Sequence, residues 1–252
     1  MSSKKISFYC FDEIDSTNKF CIENFLSLND NSIVIADTQT SGKGRFNRAW
    51  KSDTVGNIYA TILLKNISTN PTISTITQYT SLIIKEVLQE FITTPKIKWP
   101  NDILINDKKI CGILSSAIFK ENKIDALIIG FGINLIGKKE DFASIDKPAT
   151  SLFIESGKIV DKDEIITKIA YNFFKNLDNY LSNGFECIKK EYIKNSLTYN
   201  TNVKISTPNG LVEGFAKDIN DNGELVIIDN NNKIININTG DVLWKEQLGP
   251  MG

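Results

Sequence analysis

Residues 98–114 read K-W-P-N-D-I-L-I-N-D-K-K-I-C-G-I-L. Proline lacks a backbone N–H and restricts the residue before it, so Pro100 is expected to hold Trp99 extended and to stay outside any central strand. Asn101 and Asp102 are thereby displayed where a strand, 103–105, begins, and polar groups held there can face a ligand. The polar turn 106–108 returns the chain into a second strand, 110–119, preceded by Lys109. Gly112, with no side chain, leaves space on that strand for something to lie against the sheet. The competing reading is an ordinary hairpin with Lys108 and Lys109 on its surface. A further turn, 121–123, leads into a strand over 126–133, and turn-linked strands of this kind build antiparallel sheet. With helical patterns on both sides of this stretch, the class is α+β.

On the N-terminal side, 6–11 reads as a strand and Ser16 stands where a helix N-cap belongs, with Phe20, Asn24, Phe25 and Leu28 at helical spacing behind it. Within D-S-T-N, residues 15–18, Thr17 and Asn18 are also able to bond a polar ring; capping is the commoner role. A strand over 32–36 opens into a loop over 38–54. Unstructured loops beyond roughly 12–15 residues are usually functional or disordered. This one contains S-G-K-G-R-F-N-R-A-W, residues 41–50. Gly42 and Gly44 let the backbone bend toward a ligand, and Lys43, Arg45 and Arg48 place three cations within six residues, a natural seat for phosphate. A solvated basic turn is the plainer alternative. The loop is neither a Walker A sequence nor a G-x-G-x-x-G, because Asn47 stands where the third glycine belongs. After a strand over 57–64, Ile73, Ile76, Thr80, Ile83, Ile84, Val87, Leu88 and Phe91 make a buried helical stripe.

On the C-terminal side, G-F-G-I-N-L, residues 130–135, carries two glycines two apart, which bare one face of a strand for a flat apolar ligand or mark a bulge or barrel corner. Two helices follow, marked by Ile165, Ile166, Ile169, Phe173, Leu177 and Tyr180, then by Phe185, Ile188 and Tyr192. Beyond about 197, short β-rich runs at 203–206, 211–216, 225–228, 234–237 and 242–244 alternate with Asn, Asp and Gly turns, the texture of a small five-stranded barrel.

Composition narrows the chemistry. The 252 residues carry 29 Lys and Arg against 30 Asp and Glu, four Cys and no His. No Ser-His-Asp or Cys-His machinery, His-bound zinc or imidazole base is available. Net charge of −1 offers no basic footprint for DNA. The scattered Cys10, Cys21, Cys111 and Cys187 read as reduced thiols of a cytoplasmic protein. No secretory signal and no run approaching about 18 apolar residues is present, so no membrane association is expected.

The four segments, in this order, resemble the biotin protein ligase family. K-W-P-N-D followed by D-x-K-x-x-G-I is the most specific match, and the D-S-T-N, glycine-rich and G-F-G-I-N segments fall at matching intervals over residues 8–136. The resemblance implies a catalytic domain of the class II aminoacyl-tRNA-synthetase type with a mixed and antiparallel sheet over 1–198, and an SH3-like barrel over 199–252. It also implies a two-step reaction. The carboxylate of biotin attacks the α-phosphorus of ATP to give biotinyl-5′-AMP and pyrophosphate; the amine of one lysine on a biotin carboxyl carrier protein, as in acetyl-CoA carboxylase, then attacks the mixed anhydride. Bringing carboxylate against polyphosphate is a problem of like charges, answered by cationic clamps and Mg²⁺.

By resemblance Lys109 and Arg45 are the catalytic cations. Asp102 is the contact to Mg²⁺ and the candidate base for the acceptor amine. Ser16, Thr17, Asn18 and Gln39 surround the ureido ring; Gly42, Lys43, Gly44 and Arg45 close over biotin; Gly112 and Gly130 keep the sheet face clear for it. Arg45, Arg48, Trp50, Asn101, Asp102 and Asn134 form the nucleotide side. The chain departs from the family with Lys43 where Arg is usual, Phe46 and Asn47 in place of an Arg-Gly continuation, and Asp53 where Pro often stands. The catalytic pattern starts by Ser16, which leaves no room for the N-terminal DNA-binding domain of repressor members. Pairing of two copies through a sheet edge is a further expectation. The alternatives are a lipoate protein ligase and a non-catalytic biotin or nucleotide sensor or adaptor.

Overall fold

The computed structural model describes residues 5–65, 67, 75–121, 123–143, 145 and 147–243. Seven strands make the first sheet: β1 (Ser7–Ile14), β2 (Ser32–Gln39), β3 (Ile58–Lys65), β4 (Lys96–Lys98), β5 (Asp102–Ile105), β6 (Lys108–Lys120) and β7 (Lys123–Ile133). Their order is β1-β2-β3-β7-β6-β5-β4, with β1 parallel to β2 and every other neighbour antiparallel. The sheet is therefore mixed, and its antiparallel part includes the turn-linked stretch β5-β6-β7 expected from the sequence.

Side chains alternate across a strand, so each strand sends its two sets to opposite faces. One set, including Ile58, Ala60 and Ile62 of β3 and Leu127, Ile129, Phe131 and Ile133 of β7, joins the main core. That face is covered by α2 (Ile76–Gln89) and, beyond it, α4 (Lys162–Asn183) and α5 (Glu186–Lys194). Tyr79 of α2 stacks on Tyr180 of α4 with ring centroids 4.4 Å apart and tilts against Phe173 at 5.2 Å. Full burial of an aromatic of this kind stabilises by about 1.5–3 kcal/mol. The helix stripe expected from residue 73 begins at Ile76, and Ile73 lies outside the described residues.

The opposite face is covered only in part. There α1 (Thr17–Asn24) packs Cys21 against Val34, Leu63, Ala126 and Ile128. Ser16 caps α1 as expected, its hydroxyl accepting from the Lys19 N–H. Past α1 the same face carries Thr61, Gly130 and Leu114 in one cross-strand row and Tyr59, Gly132, Gly112 and Asp102 in the next. Three glycines on two adjacent strands make this end of the sheet bare.

Trp99, Pro100 and Asn101 form the tight turn between β4 and β5, with a cis Trp99–Pro100 peptide, and Pro100 stays out of the strands. A short helix that the sequence reading passed over, α3 (Leu152–Ser156), is capped by the Ser151 hydroxyl and ended by Gly157 at φ 70°.

The C-terminal strands β8 (Thr201–Thr207), β9 (Gly210–Ile219), β10 (Leu225–Ile228), β11 (Ile234–Ile237) and β12 (Asp241–Val242) pair in the order β11-β10-β9-β8-β12. All four pairings are antiparallel. The expected barrel is thus observed as an antiparallel sheet that is not closed among the described residues, with β11 and β12 as its edges there. The strand expected over 242–244 ends at Val242, and Trp244 lies outside the described residues. Val203, Ile205, Ala216, Leu225 and Ile227 belong to the same continuous core as α2 and β7. The carbonyl of Gly223 accepts from both Trp99 Nε1 at 3.0 Å and Gln78 Nε2 at 2.7 Å, tying the second sheet to the K-W-P-N-D turn. Among the described residues no helix is long and apolar enough to cross a membrane.

Candidate active site

Where the glycines bare the sheet, a cleft of about 770 Å³ opens, within the range of small-molecule sites. The glycine-rich loop roofs it, and the turn before β12 closes one side. Its lining includes Ser16, Thr17, Asn18, Gln39, Lys43, Gly44, Arg45, Arg48, Trp50, Asn101, Asp102, Lys109, Gly112, Gly130 and Asn134. Of the site residues singled out in the sequence, Gly42 alone is not in the lining. Its role is packing: a side-chain carbon there would lie 2.4 Å from Ser52 Oγ, and its carbonyl accepts from the Trp50 N–H at 2.9 Å.

One end of the cleft is uncharged and heavily hydrogen-bonded. Gln39 Oε1 accepts from the Thr17 N–H at 2.8 Å and from Thr17 Oγ1 at 3.1 Å, while Gln39 Nε2 donates to Ser52 Oγ at 3.0 Å. Thr61 Oγ1 lies 2.8 Å from Thr17 Oγ1 and 2.6 Å from Asn18 Oδ1, and its single proton serves one of them at a time. Asn18 lies flat over Gly130, where an added side-chain carbon would meet its amide at 2.0 Å. Thr61 and Ser52 were not singled out in the sequence; isolated hydroxyl residues in a strand and a loop carry no motif. Thr61→Val is expected to keep the fold but cost about 1 kcal/mol, because Asn18 Oδ1 loses its donor while Thr17 Oγ1 keeps its bond to Gln39. Thermal melting reads this, and an unchanged midpoint would take Thr61 out of the network.

The other end is cationic. Lys43, Arg45, Arg48, Lys51, Lys109 and Lys147 line it against Asp102, Asp141 and Asp241, an excess of three positive charges in a chain of net charge −1. Lys109 Nζ is 2.7 Å from Asp102 Oδ1, with both side chains mostly buried. The contact is an ion pair by distance, but its direction leaves Oδ1 without a well-aligned hydrogen bond. The Lys109 tail folds over Gly112, whose missing side chain makes the room, and its ammonium lies 4.9 Å from the centre of the Trp50 ring.

Trp50 itself covers Gly132, where an added carbon would lie 2.4 Å from its Nε1, and that buried N–H has no hydrogen-bond partner among the described residues. The face bared by Gly112, Gly130 and Gly132 is therefore occupied by Lys109, Asn18 and Trp50 of the chain itself.

Arg45 Nη1 donates to Asn101 Oδ1 at 3.2 Å and to the Gly240 carbonyl at 2.9 Å, and Nη2 donates to Thr239 Oγ1 at 3.1 Å. Burial lowers the proton affinity of this guanidinium against the pull of Asp241 and Asp102; an arginine nonetheless stays charged. Asp241 pairs with Arg48 and, at 2.7 Å, with Lys147. Burial pushes its carboxyl up, but hydrogen bonds from Lys147 and Arg48 and the nearby positive charges prevail and bring it down to about 2.

Asn101 and Asn134 are braces as well as lining, their amides donating to the carbonyls of Ile113 and Thr150. Lys98 is buried outside the lining, and burial lowers its ammonium to about 8. Among the described residues no group of three or more metal-ligating side chains exists. Asp102 as a lone carboxylate fits a magnesium ion that arrives on a nucleotide, with phosphates and water as its other ligands, and not a resident metal.

Such a cleft can take a neutral polar head at one end and a polyanion at the other. Residues 10–134 match the model described as "Biotin/lipoate A/B protein ligase family", and residues 198–243 match "Biotin protein ligase C terminal domain". The chain is 36% identical over 225 residues to the bifunctional ligase/repressor BirA of Bacillus spizizenii, covering 86% of this chain and 67% of that protein. It is 27% identical over 222 residues to the biotin–[acetyl-CoA-carboxylase] ligase of Paracoccus denitrificans, covering 84% and 90% of the two chains. The structure of biotin protein ligase from Aquifex aeolicus in complex with biotin and ATP superposes with a TM-score of 0.80 at 26% identity, covering 94% of this chain and 97% of that one.

Proposed function

The chain belongs to the biotin/lipoate A/B protein ligase family, and from that premise we propose that the cleft activates biotin with ATP as biotinyl-5′-AMP and passes it to a lysine of a biotin carboxyl carrier protein. The relatives named for their acceptor act on acetyl-CoA carboxylase, and solved neighbours hold biotin with ATP, or biotinyl-5-AMP. Both favour biotin over lipoate.

One observation carries the reading: Lys109 stands on the bared sheet where the uncharged network meets the cationic half. The two cross-strand rows, one at Gly130 and one at Gly112 and Gly132, are two residues apart along β7, about 7 Å at the rise of a strand. A ureido head bonded by Thr17, Asn18 and Gln39 places its acid tail toward Lys109, and the triphosphate falls among Arg45, Arg48 and Lys147. Negative charge concentrates between carboxylate and α-phosphate as the bond forms, and a cation aimed at that point stabilises the transition state more than either reactant. Magnesium, when it arrives with ATP, supplies further charge neutralisation, with Asp102 the carboxylate placed to meet it. Asn18, Trp50 and Lys109 give up the sheet face to the ligand. Closure of the glycine-rich loop keeps water from the anhydride. Asp102 is the acceptor for the proton that the attacking lysine loses.

Incubation of the full chain with biotin, MgATP and a carrier domain of acetyl-CoA carboxylase is expected to add one biotinyl group to the carrier, read by mass. Biotin with MgATP is expected to raise the melting temperature by about 5 °C at roughly a hundred times Kd, and lipoate with MgATP is not. A lipoyl adduct in place of the biotinyl one would overturn the assignment.

A further inference from the structure

Strand β7 last pairs with β3 at Ile133 and Ile58. In a strand, successive backbone N–H groups point to opposite edges, so one neighbour cannot take two in a row. Leu135 and Ile136 nonetheless donate to a single atom, Asn57 Oδ1, at 2.7 and 3.0 Å. The chain therefore bends off the sheet at this point. Ile136 seats the bend on Gly56, which stands at φ 95° and where a side-chain carbon would lie 2.6 Å from Ile136 Cδ1.

The other half of the Asn57 carboxamide is tied down as well. Its Nδ2 donates to Tyr59 Oη at 3.3 Å, and that hydroxyl donates to the Thr54 carbonyl at 3.2 Å. Asn57 is only 3% exposed, yet it borders the cleft. Asn134, the residue before the bend, lines the cleft too and is held from the far side: its N–H donates to the Ile110 carbonyl and its own carbonyl accepts from the Leu152 N–H, both at 2.9 Å. The uncharged end is built separately. Among the described residues the side chains of Thr17, Asn18, Gln39 and Thr61 bond to one another, to Ser52 and to Leu114, and not to Asn57.

Resting on the reading of the cleft as an ATP site, we propose that Asn57 is a positioning residue for the nucleotide: by gathering two successive N–H groups on one oxygen it sets where β7 leaves the sheet, and with that the place of Asn134 in the cleft. Loss of the oxygen leaves two N–H groups without their acceptor, and the segment shifts to satisfy them. A small misplacement of a positioning group is enough to weaken the contact it makes. The biotin end does not depend on Asn57.

The test uses the full chain as wild type, Asn57→Ala, Asn57→Asp and Tyr59→Phe. Pyrophosphate release gives KM for ATP and for biotin, and amide hydrogen exchange without substrates reads the bend directly. Asn57→Ala is expected to raise KM for ATP about tenfold and to leave KM for biotin within about twofold. In the same variant, exchange at residues 135 and 136 speeds up about tenfold while the amides of α2 stay as protected as in the wild type. Asn57→Asp keeps an oxygen for both N–H groups and returns KM for ATP to within about threefold of wild type. Tyr59→Phe frees the carboxamide without removing it; a rise of about threefold confined to ATP is expected, and this variant decides the matter if Asn57→Ala does not fold. Equal rises in both KM values, an Asn57→Asp variant no better than Asn57→Ala, or unaltered exchange at 135 and 136 would overturn the proposal. The exchange measurement needs neither substrate. A wild type that makes no adenylate therefore refutes the ligase reading, while unaltered exchange in Asn57→Ala refutes the role of Asn57 alone.

Discussion

Lys109→Ala is expected to slow adenylate formation by about 10²–10³-fold, or roughly 2.7–4 kcal/mol of transition-state stabilisation, the usual loss for one preorganised charge-stabilising donor. The ammonium sits beside Asp102 at 2.7 Å and over Gly112, on the sheet face between the neutral and cationic halves of the cleft. Stability falls much less. The lost pair borders an open cleft, so about 1 kcal/mol and a melting shift of about 2–4 °C are expected. Single-turnover pyrophosphate release measures the first effect and thermal melting the second. Lys109→Arg keeps the charge but not the compact ammonium, and recovers only part of the rate. Adenylate formation by Lys109→Ala within tenfold of wild type removes Lys109 from the chemistry.

Arg45→Gly is expected to act at a different step. Arg45 bridges Asn101 of the β4–β5 turn and the Thr239–Gly240 turn of the second sheet, so its removal takes away one of the loop's ties to each wall of the cleft. Adenylate is still made, because Lys109 is in place, but it escapes before meeting the carrier. The readout is free biotinyl-5′-AMP and biotin on neighbouring lysines of unrelated protein, rising about tenfold or more over wild type on loss of a charge-assisted clamp. Labelling that stays confined to the carrier shows that Arg45 does not retain the intermediate.

Most of the fold was legible because its code is local. Alternation and turn residues located the strands of both sheets to within a few residues at each end, from β1 (Ser7–Ile14) to β12 (Asp241–Val242), with the exception of β4 (Lys96–Lys98), whose three residues are too few to show alternation. Ser16 as a cap and the Asn106–Asp107 turn needed no tertiary knowledge; both turn residues adopt the positive φ that Asn and Asp tolerate. The helix α3 (Leu152–Ser156) was passed over because five residues show too little periodicity, although Ser151 and Gly157 mark its two ends. Barrel closure, expected from strand spacing, is not seen among the described residues, and spacing does not report which edges meet.

The site divides along the same line. The types of residue at 15–18, 41–50, 98–114 and 130–135 point to a neutral polar head, an anion and a bared sheet face, and the family follows from their order. Their partners do not. Asp241 joins Arg48 across 193 residues, Thr61 reaches Asn18 across 43, and Trp50 lies over Gly132. Periodicity, caps and turns act within a few positions of the chain, and so the amino-acid order alone sufficed for the longer strands and helices and the chemical character of each motif. Which cation meets which carboxylate depends on how two sheets dock, and docking is set by the burial of a shared core that no short segment contains.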